Sequence, residues 1–270
     1  MQRVNGIPLL GYGTYPLAGE ECRRCVLTAL ELGYRHIDTA QIYDNEKDVG
    51  AAIAGSGVKR ADVFLVTKVG RDNLNKRNFL HSVEESLERL DTDYVDLLLI
   101  HWPPDEDELD AAVDLLCEAQ DNGQARAIGV SNFTIPLLRR AVARSRHKLV
   151  NNQVEFHPMI DQSRLKSAAD ELGVTLSAYA PLARGAALKV RAVEDVARRL
   201  GRPPSEIVLR WIVQQGVVAL PMTTKRENAQ SNLRVFDFEL PAADMKAISE
   251  ATQQNRRLIS PTGWAPRWDS

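Results

Sequence analysis

Four side chains that can hold, move or orient a proton follow short apolar runs in the first part of the chain: Asp38, Tyr43, Lys68 and His101. Taken singly, each has an ordinary explanation: a helix cap, a pocket aromatic, a solvated charge, a satisfied core imidazole. Taken together they make a proton relay. A phenol of ordinary pKa near ~10 is a poor acid at neutral pH. A close ammonium is expected to stabilise its phenolate and lower that value, while a carboxylate beside the ammonium holds it in place and keeps it charged. Asp38, Lys68 and Tyr43 supply these parts, and His101 would orient the oxygen that Tyr43 protonates. This is general-acid chemistry aimed at a carbonyl oxygen becoming alkoxide. The chain shows no strong metal-ligand spacing and no Ser or Cys in a recognisable nucleophile elbow. The attacking group therefore has to come from a cofactor, and a nicotinamide hydride suits such an acid.

These residues need a frame that brings strand ends together. Strand-like runs occupy Pro8–Gly13, Arg35–Thr39, Val63–Val69, Val95–Ile100, Ala125–Val130, Val150–Glu155, Thr175–Tyr179 and Val217–Pro221. Helical stretches such as Glu20–Leu32, Arg77–Leu90, Asp107–Asn122 and Gln162–Leu172 lie between them, and Gly33, Gly123, Gly173 and Gly216 stand where C-terminal caps belong. Such alternation predicts a parallel sheet, either open and doubly wound or closed into a barrel. An open dinucleotide-binding sheet would carry G-x-G-x-x-G after its first strand, whereas Gly11-Tyr12-Gly13-Thr14 lacks the third glycine. The count of eight favours an α/β fold of the (β/α)8 TIM-barrel type, one domain over residues 1–270, with chemistry at the C-terminal strand ends.

Composition narrows the partners. The 270 residues carry a formal net charge of −2 with Lys and Arg dispersed, so neither nucleic acid nor a membrane surface is expected. No apolar signal core follows Met1 and no run approaches the ~20 apolar residues of a membrane span, so a cytoplasmic location is expected. Three cysteines make no disulfide framework, and Cys22 and Cys25 read as ordinary helix residues. A monomer acting on a small carbonyl compound is the expectation.

The motifs around these residues resemble the aldo-keto reductase family. Gly33-Tyr34-Arg35-His36-Ile37-Asp38-Thr39-Ala40-Gln41-Ile42-Tyr43-Asp44-Asn45-Glu46 looks like its Asp–Tyr signature, and Thr67-Lys68 like its third strand. Asp93–Pro103, Gly129–Phe133 and Asn152–Glu155 are similar to its fourth, fifth and sixth strands. The tail from Asn255 to Pro261, ending Ala265-Pro266-Arg267-Trp268-Asp269, is most similar to the 2,5-diketo-D-gluconate and methylglyoxal reductase branch. The resemblance implies that NAD(P)H reduces small aldehydes, ketones or diketo-sugar acids, with Tyr43 as general acid, Lys68 and Asp38 as its tuners and His101 orienting the carbonyl. It also implies that Ser131, Asn132 and Gln153 bond the nicotinamide amide, that Tyr179 stacks on its ring, and that Gly13 and Thr14 lie near its ribose. Ser131-Asn132 also reads as a helix cap before Phe133–Ala143.

Two departures qualify that picture. The family's Lys and Arg for the 2′-phosphate of NADPH are Met222 and Asn228 here, leaving Thr223, Thr224, Lys225 and Arg226, with Asn232 beyond, as the expected cofactor contacts. NADPH is the favoured cofactor and NADH the competitor. Gly70 replaces an aromatic wall two residues after Lys68, leaving Tyr15, Trp102 and His157 as candidate substrate liners. A rival reading is a nicotinamide-binding, redox-sensing partner protein of the same fold.

Overall fold

The computed structural model describes residues 2–269. Its first element comes from an Asn-Gly pair: Asn5 and Gly6 both take positive φ, 45° and 80°, and fold β1 (Arg3–Val4) back onto β2 (Ile7–Pro8) as an antiparallel hairpin. Positive φ at both central residues is what a two-residue hairpin turn demands. The single strand expected over Pro8–Gly13 is thus divided, its first residue belonging to the hairpin.

Eight further strands form one parallel sheet in chain order. They are β3 (Tyr12–Gly13), β4 (His36–Asp38), β5 (Phe64–Val69), β6 (Val95–Ile100), β7 (Ala125–Ser131), β8 (Leu149–Glu155), β9 (Thr175–Tyr179) and β10 (Val218–Ala219). The segments at the two ends of that order also meet. Leu10 bridges Ala219 in parallel, Gly11 N donates to Ala219 O at 2.9 Å, and Gly13 N donates to Pro221 O at 3.1 Å. The approach is close enough to require glycine at position 11, where a Cβ would lie 2.5 Å from Leu220 Cδ2 and 2.8 Å from the His36 ring.

Between and after the strands run α1 (Gly19–Leu32), α2 (Glu46–Gly55), α3 (Phe79–Leu90), α4 (Leu109–Asp121), α5 (Ile135–Arg144), α6 (Ser163–Glu171), α7 (Arg191–Leu200), α8 (Pro204–Val213), α9 (Arg226–Leu233) and α10 (Ala242–Glu250). All four cap glycines read from the sequence adopt positive φ. In α3 the apolar spacing puts Phe79, Val83 and Leu90 into the core, with Leu80 and Leu87 packed against it. β6 is buried along its whole length, as an apolar run covered on both faces should be. Strand direction then sets the site: Asp38, Ser131 and Tyr179 are the last residues of β4, β7 and β9, Lys68 is next to last in β5, and His101 follows β6. Among the described residues no helix is long and apolar enough to cross a membrane.

Candidate active site

Lys68 organises the centre. Its side chain is fully buried, and Nζ donates to Asp38 Oδ1 at 2.6 Å and Thr39 O at 2.8 Å. The same ammonium lies 3.4 Å from the Tyr43 hydroxyl. The His101 ring stands edge-on to Tyr43, centroids 5.5 Å apart. The four residues expected to act together are therefore brought together at adjacent strand ends.

The electrostatics differ from the expectation in one respect. Burial drives the Tyr43 phenol well above its ordinary value, and the Asp38 carboxylate and Tyr15 push the same way. The anticipated lowering by the ammonium does not prevail: Lys68 stands at the long limit of hydrogen bonding and is itself tied to Asp38. Tyr43 is thus a fully protonated donor at neutral pH. Burial also lowers Lys68, against which Asp38 holds it up. Burial, then the Lys68 charge, depresses His101 well below its ordinary value, so its imidazole is neutral. His101 Nδ1 is buried without a hydrogen-bond partner among the described residues. An unpaired buried N–H is costly, which favours the tautomer with its proton on Nε2.

One connected network runs from this centre across the ends of β7, β8 and β9. Gln153 Nε2 donates to Asp38 Oδ2 at 2.7 Å, and Ser131 Oγ donates to Gln153 O at 2.8 Å. Asn132 Nδ2 donates to Ser131 Oγ and His101 O, and the Tyr179 hydroxyl donates to Asn132 Oδ1 at 2.7 Å. Ser131 and Asn132 do not cap α5. That helix starts at Ile135, whose N–H donates to Asp269 Oδ2 at 2.8 Å, a carboxylate brought by the C-terminal tail. Thr14 is buried, its hydroxyl donating to Asp38 O at 3.0 Å, with Gly13 beside it.

The surface around Tyr43 is built partly by residues the sequence did not single out. Tyr15 is 58% exposed, with its ring 5.1 Å from that of Tyr43. Ile42 stands over Gly70, its Cγ2 3.1 Å from where a Cβ at position 70 would be. Both residues, with Trp264, border a groove of about 270 Å³. Trp102 is nearly buried and meets Trp268 edge-on, at 6.3 Å.

The expectation that His157 lines the mouth is corrected. His157 is fully buried, with both ring nitrogens engaged: Nε2 bonds Glu155 Oε1 at 2.8 Å, and Nδ1 accepts from Met159 N at 3.2 Å. Glu155 in turn accepts the Leu258 and Ile259 N–H groups at 2.7 and 2.9 Å. His157 thereby anchors the tail that carries Trp264 and Trp268, whose ring the Arg257 guanidinium covers at 3.6 Å.

At the loop after β10, the Tyr12 hydroxyl donates to Thr223 O, and Thr223 Oγ1 accepts from Lys225 N at 3.2 Å. Thr224 and Lys225 continue this lip, and Arg226 is paired with Glu31 of α1 at 2.7 Å. Met222 is exposed, Asn228 turns its amide to Thr223 Oγ1, and Asn232 is buried beside the Tyr34 hydroxyl. Cys22 and Cys25 are free and buried on α1. Burial pushes the Cys22 thiol up to about 12 and raises Cys25 too, so neither is a ready thiolate. Among the described residues no group of His, Cys, Asp and Glu could hold a metal ion.

The aldo/keto reductase family model matches residues 6–253. The chain belongs to the aldo/keto reductase family. Methylglyoxal reductase DkgB of Escherichia coli O157:H7 is 44% identical over 266 residues, covering 97% of this chain and 99% of that protein. A solved structure described as a 2,5-diketo-D-gluconic acid reductase B superposes with a TM-score of 0.96 at 42% identity, covering 98% of this chain and 96% of that one. The Bombyx mori aldo-keto reductase, solved in complex with NADP, gives a TM-score of 0.87 at 32% identity, covering 96% of this chain and 93% of its own. As an aldo/keto reductase the chain is an oxidoreductase, and its resemblance to the diketogluconate and methylglyoxal reductase branch holds across nearly its whole length.

Proposed function

We propose that this aldo/keto reductase reduces small aldehydes, ketones or diketo-sugar acids to alcohols with NADPH, and that Tyr43 is the general acid. The observation that carries the reading is the fully buried Lys68, bonded to Asp38 at 2.6 Å and 3.4 Å from the Tyr43 hydroxyl. Tyr43 holds its proton through the neutral range and offers it to a carbonyl oxygen as negative charge develops there. Lys68, held by Asp38, then favours the phenolate left behind. Neutral His101 donates from Nε2 to the same oxygen and fixes its direction.

The residues present suit a nicotinamide nucleotide. Ser131, Asn132 and Gln153 supply amide and hydroxyl groups in one place, Tyr179 offers a ring beside them, and the loop after β10 is rich in cations and hydroxyls. When bound, the nicotinamide supplies the hydride that the protein lacks. Ser131, Asn132 and Gln153 would hold its amide, Tyr179 its ring, and Gly13 and Thr14 its ribose. The relatives' names carry the substrate range: E. coli methylglyoxal reductase DkgB and a 2,5-diketo-D-gluconic acid reductase B. The same reading makes the chain one domain and a closed (β/α)8 barrel, on the bonds joining Gly11 and Gly13 to Ala219 and Pro221. It also makes the protein a cytoplasmic monomer without nucleic-acid partners.

The test is carbonyl-dependent NADPH oxidation over a panel including methylglyoxal and diketo-sugar acids. Tyr43→Phe should lose about 10²–10⁴-fold in turnover while cofactor binding, followed by fluorescence, stays nearly unchanged. A variant keeping more than about a tenth of wild-type turnover would reject Tyr43 as the acid.

A further inference from the structure

The groove of about 270 Å³ is bounded by the loops after β4 and β5, by α3 and by the tail. Ile42 and Asp44 flank Tyr43 in the chain, and Gly70 lies two residues beyond Lys68, so the groove adjoins the reacting centre. No side chain at position 70 bars the way between them. The passage is narrow, since a Cβ there would stand 3.1 Å from Ile42 Cγ2.

The walls are braced before any ligand arrives. Gln41 Nε2 donates to Ser82 O of α3 at 2.9 Å, while its Oε1 accepts from Gly70 N at 2.8 Å and Asn73 Nδ2 at 3.1 Å. Arg71 donates to Gly263 O at 2.6 Å and pairs with Asp105, which sets the neighbouring Trp264 against the groove. The other guanidinium of the lining, Arg89, is tied to Glu46 at 2.8 Å.

What the walls leave unused defines the occupant. Among the described residues the carboxylates of Asp44 and Asp72 and the indole N–H of Trp264 have no partner. Trp264 is half-buried and offers ring surface as well. An anion would meet the carboxylates of Asp44, Asp72 and Glu85, while both guanidinium groups are already engaged. A metal ion finds no group of His, Cys, Asp and Glu able to hold it among the described residues. A chain of hydroxylated carbons suits what is left. Its O–H groups donate to the carboxylates and accept from the indole, and its C–H edges pack on the ring.

We propose that, in the carbonyl reduction inferred above, this groove holds the hydroxylated end of a substrate whose carbonyl lies at Tyr43, with Asp44, Asp72 and Trp264 as its contacts and Gly70 as the passage. Hydroxylated and alkyl chains of equal length are distinguished there.

Steady-state NADPH oxidation with D-xylose, pentanal and methylglyoxal tests this. The first two share the length of their aldehyde chain and differ in hydroxyls, and the third is too short to fill the groove. Each comparison sets variant against wild type on one substrate, so the closed-ring fraction of D-xylose cancels. Asp72→Ala and Trp264→Ala should each lower kcat/KM for D-xylose about tenfold, mostly through KM, as the loss of a bond to a charged group or of a bond with its packing implies. Pentanal and methylglyoxal should change less than about threefold. Gly70→Leu fills the passage without touching the tail, at a backbone conformation of φ −64° and ψ 150° that any residue adopts, and should cost D-xylose at least as much. Unchanged D-xylose kinetics in Gly70→Leu overturn the proposal. Equal losses for D-xylose and pentanal in Asp72→Ala and Trp264→Ala also overturn it, as does a wild type that reduces pentanal and not D-xylose. A wild type that reduces none of the three compounds would instead refute carbonyl reduction itself, and the groove's role with it.

Discussion

Replacing Asp38 with Asn keeps the shape of the side chain and removes the charge that Lys68 faces. Lys68 is fully buried, so its remaining partners would be the Thr39 carbonyl at 2.8 Å and the Tyr43 hydroxyl at 3.4 Å. Breaking a buried ion pair from one side leaves an uncompensated charge and costs about 3–5 kcal/mol. Lys68→Met should cost a similar amount, because Asp38 then keeps only the Gln153 amide at 2.7 Å. The double variant removes both charges, so its cost should fall short of the summed single losses by about 1–3 kcal/mol. The pH dependence follows from the same pair. Burial lowers Lys68 and Asp38 raises it, so in Asp38→Asn the folded value drops further below the unfolded value of about 10.4. Between those two values the unfolded chain binds more protons, so stability rises with pH there, and more steeply in the variant than in the wild type. Urea unfolding of all four proteins at about pH 7 and about pH 9 measures both effects. Strictly additive single losses, or an Asp38→Asn slope no steeper than wild type, would refute the reasoning.

Three further outcomes are expected. Since the Tyr43 phenol stands well above its ordinary value, turnover should stay flat from about pH 6 to about pH 9 and fall only at more alkaline pH; a Tyr43-dependent loss near pH 8 would contradict this. Burial lowers His36 from 6.5 to about 4, so the unfolded chain takes up a proton that the folded one refuses. Stability should therefore fall by roughly 3 kcal/mol as pH drops through that window, and His36→Leu should remove that part of the slope in denaturant titrations. Glu155→Gln should weaken the hold on Leu258 and Ile259, giving about tenfold faster proteolysis of the tail and a KM increase larger than the kcat decrease; an unchanged cleavage rate would show that the tail is held elsewhere.

Much of this was readable from residue order because strand direction and chain order carry it. Seven of the eight expected strands coincide with observed ones to within one or two residues at each end, and the tetrad lies at consecutive strand ends. The exception is the first, where the Asn5-Gly6 turn was a legible hairpin signal overlooked beside a longer apolar run. His157 was misread because Glu155 owes its position to Leu258 and Ile259, about a hundred residues on. The direction of the Tyr43 shift was misjudged because residue types reveal a neighbouring ammonium but not the depth at which both are buried.

The bonds between residues 9–13 and 219–221 also bear on how the molecule is made. Leu10 and Ala219 are more than two hundred residues apart, so the strand at Tyr12–Gly13 waits for a neighbour translated long after it. Until then Tyr12–Gly13 and Thr175–Tyr179 are open margins of an unfinished sheet, each offering free N–H and C=O groups. Such margins pair readily with those of other chains. A product truncated before Val217 would thus carry all four residues of the tetrad and still be a nucleus for aggregation rather than a shortened reductase.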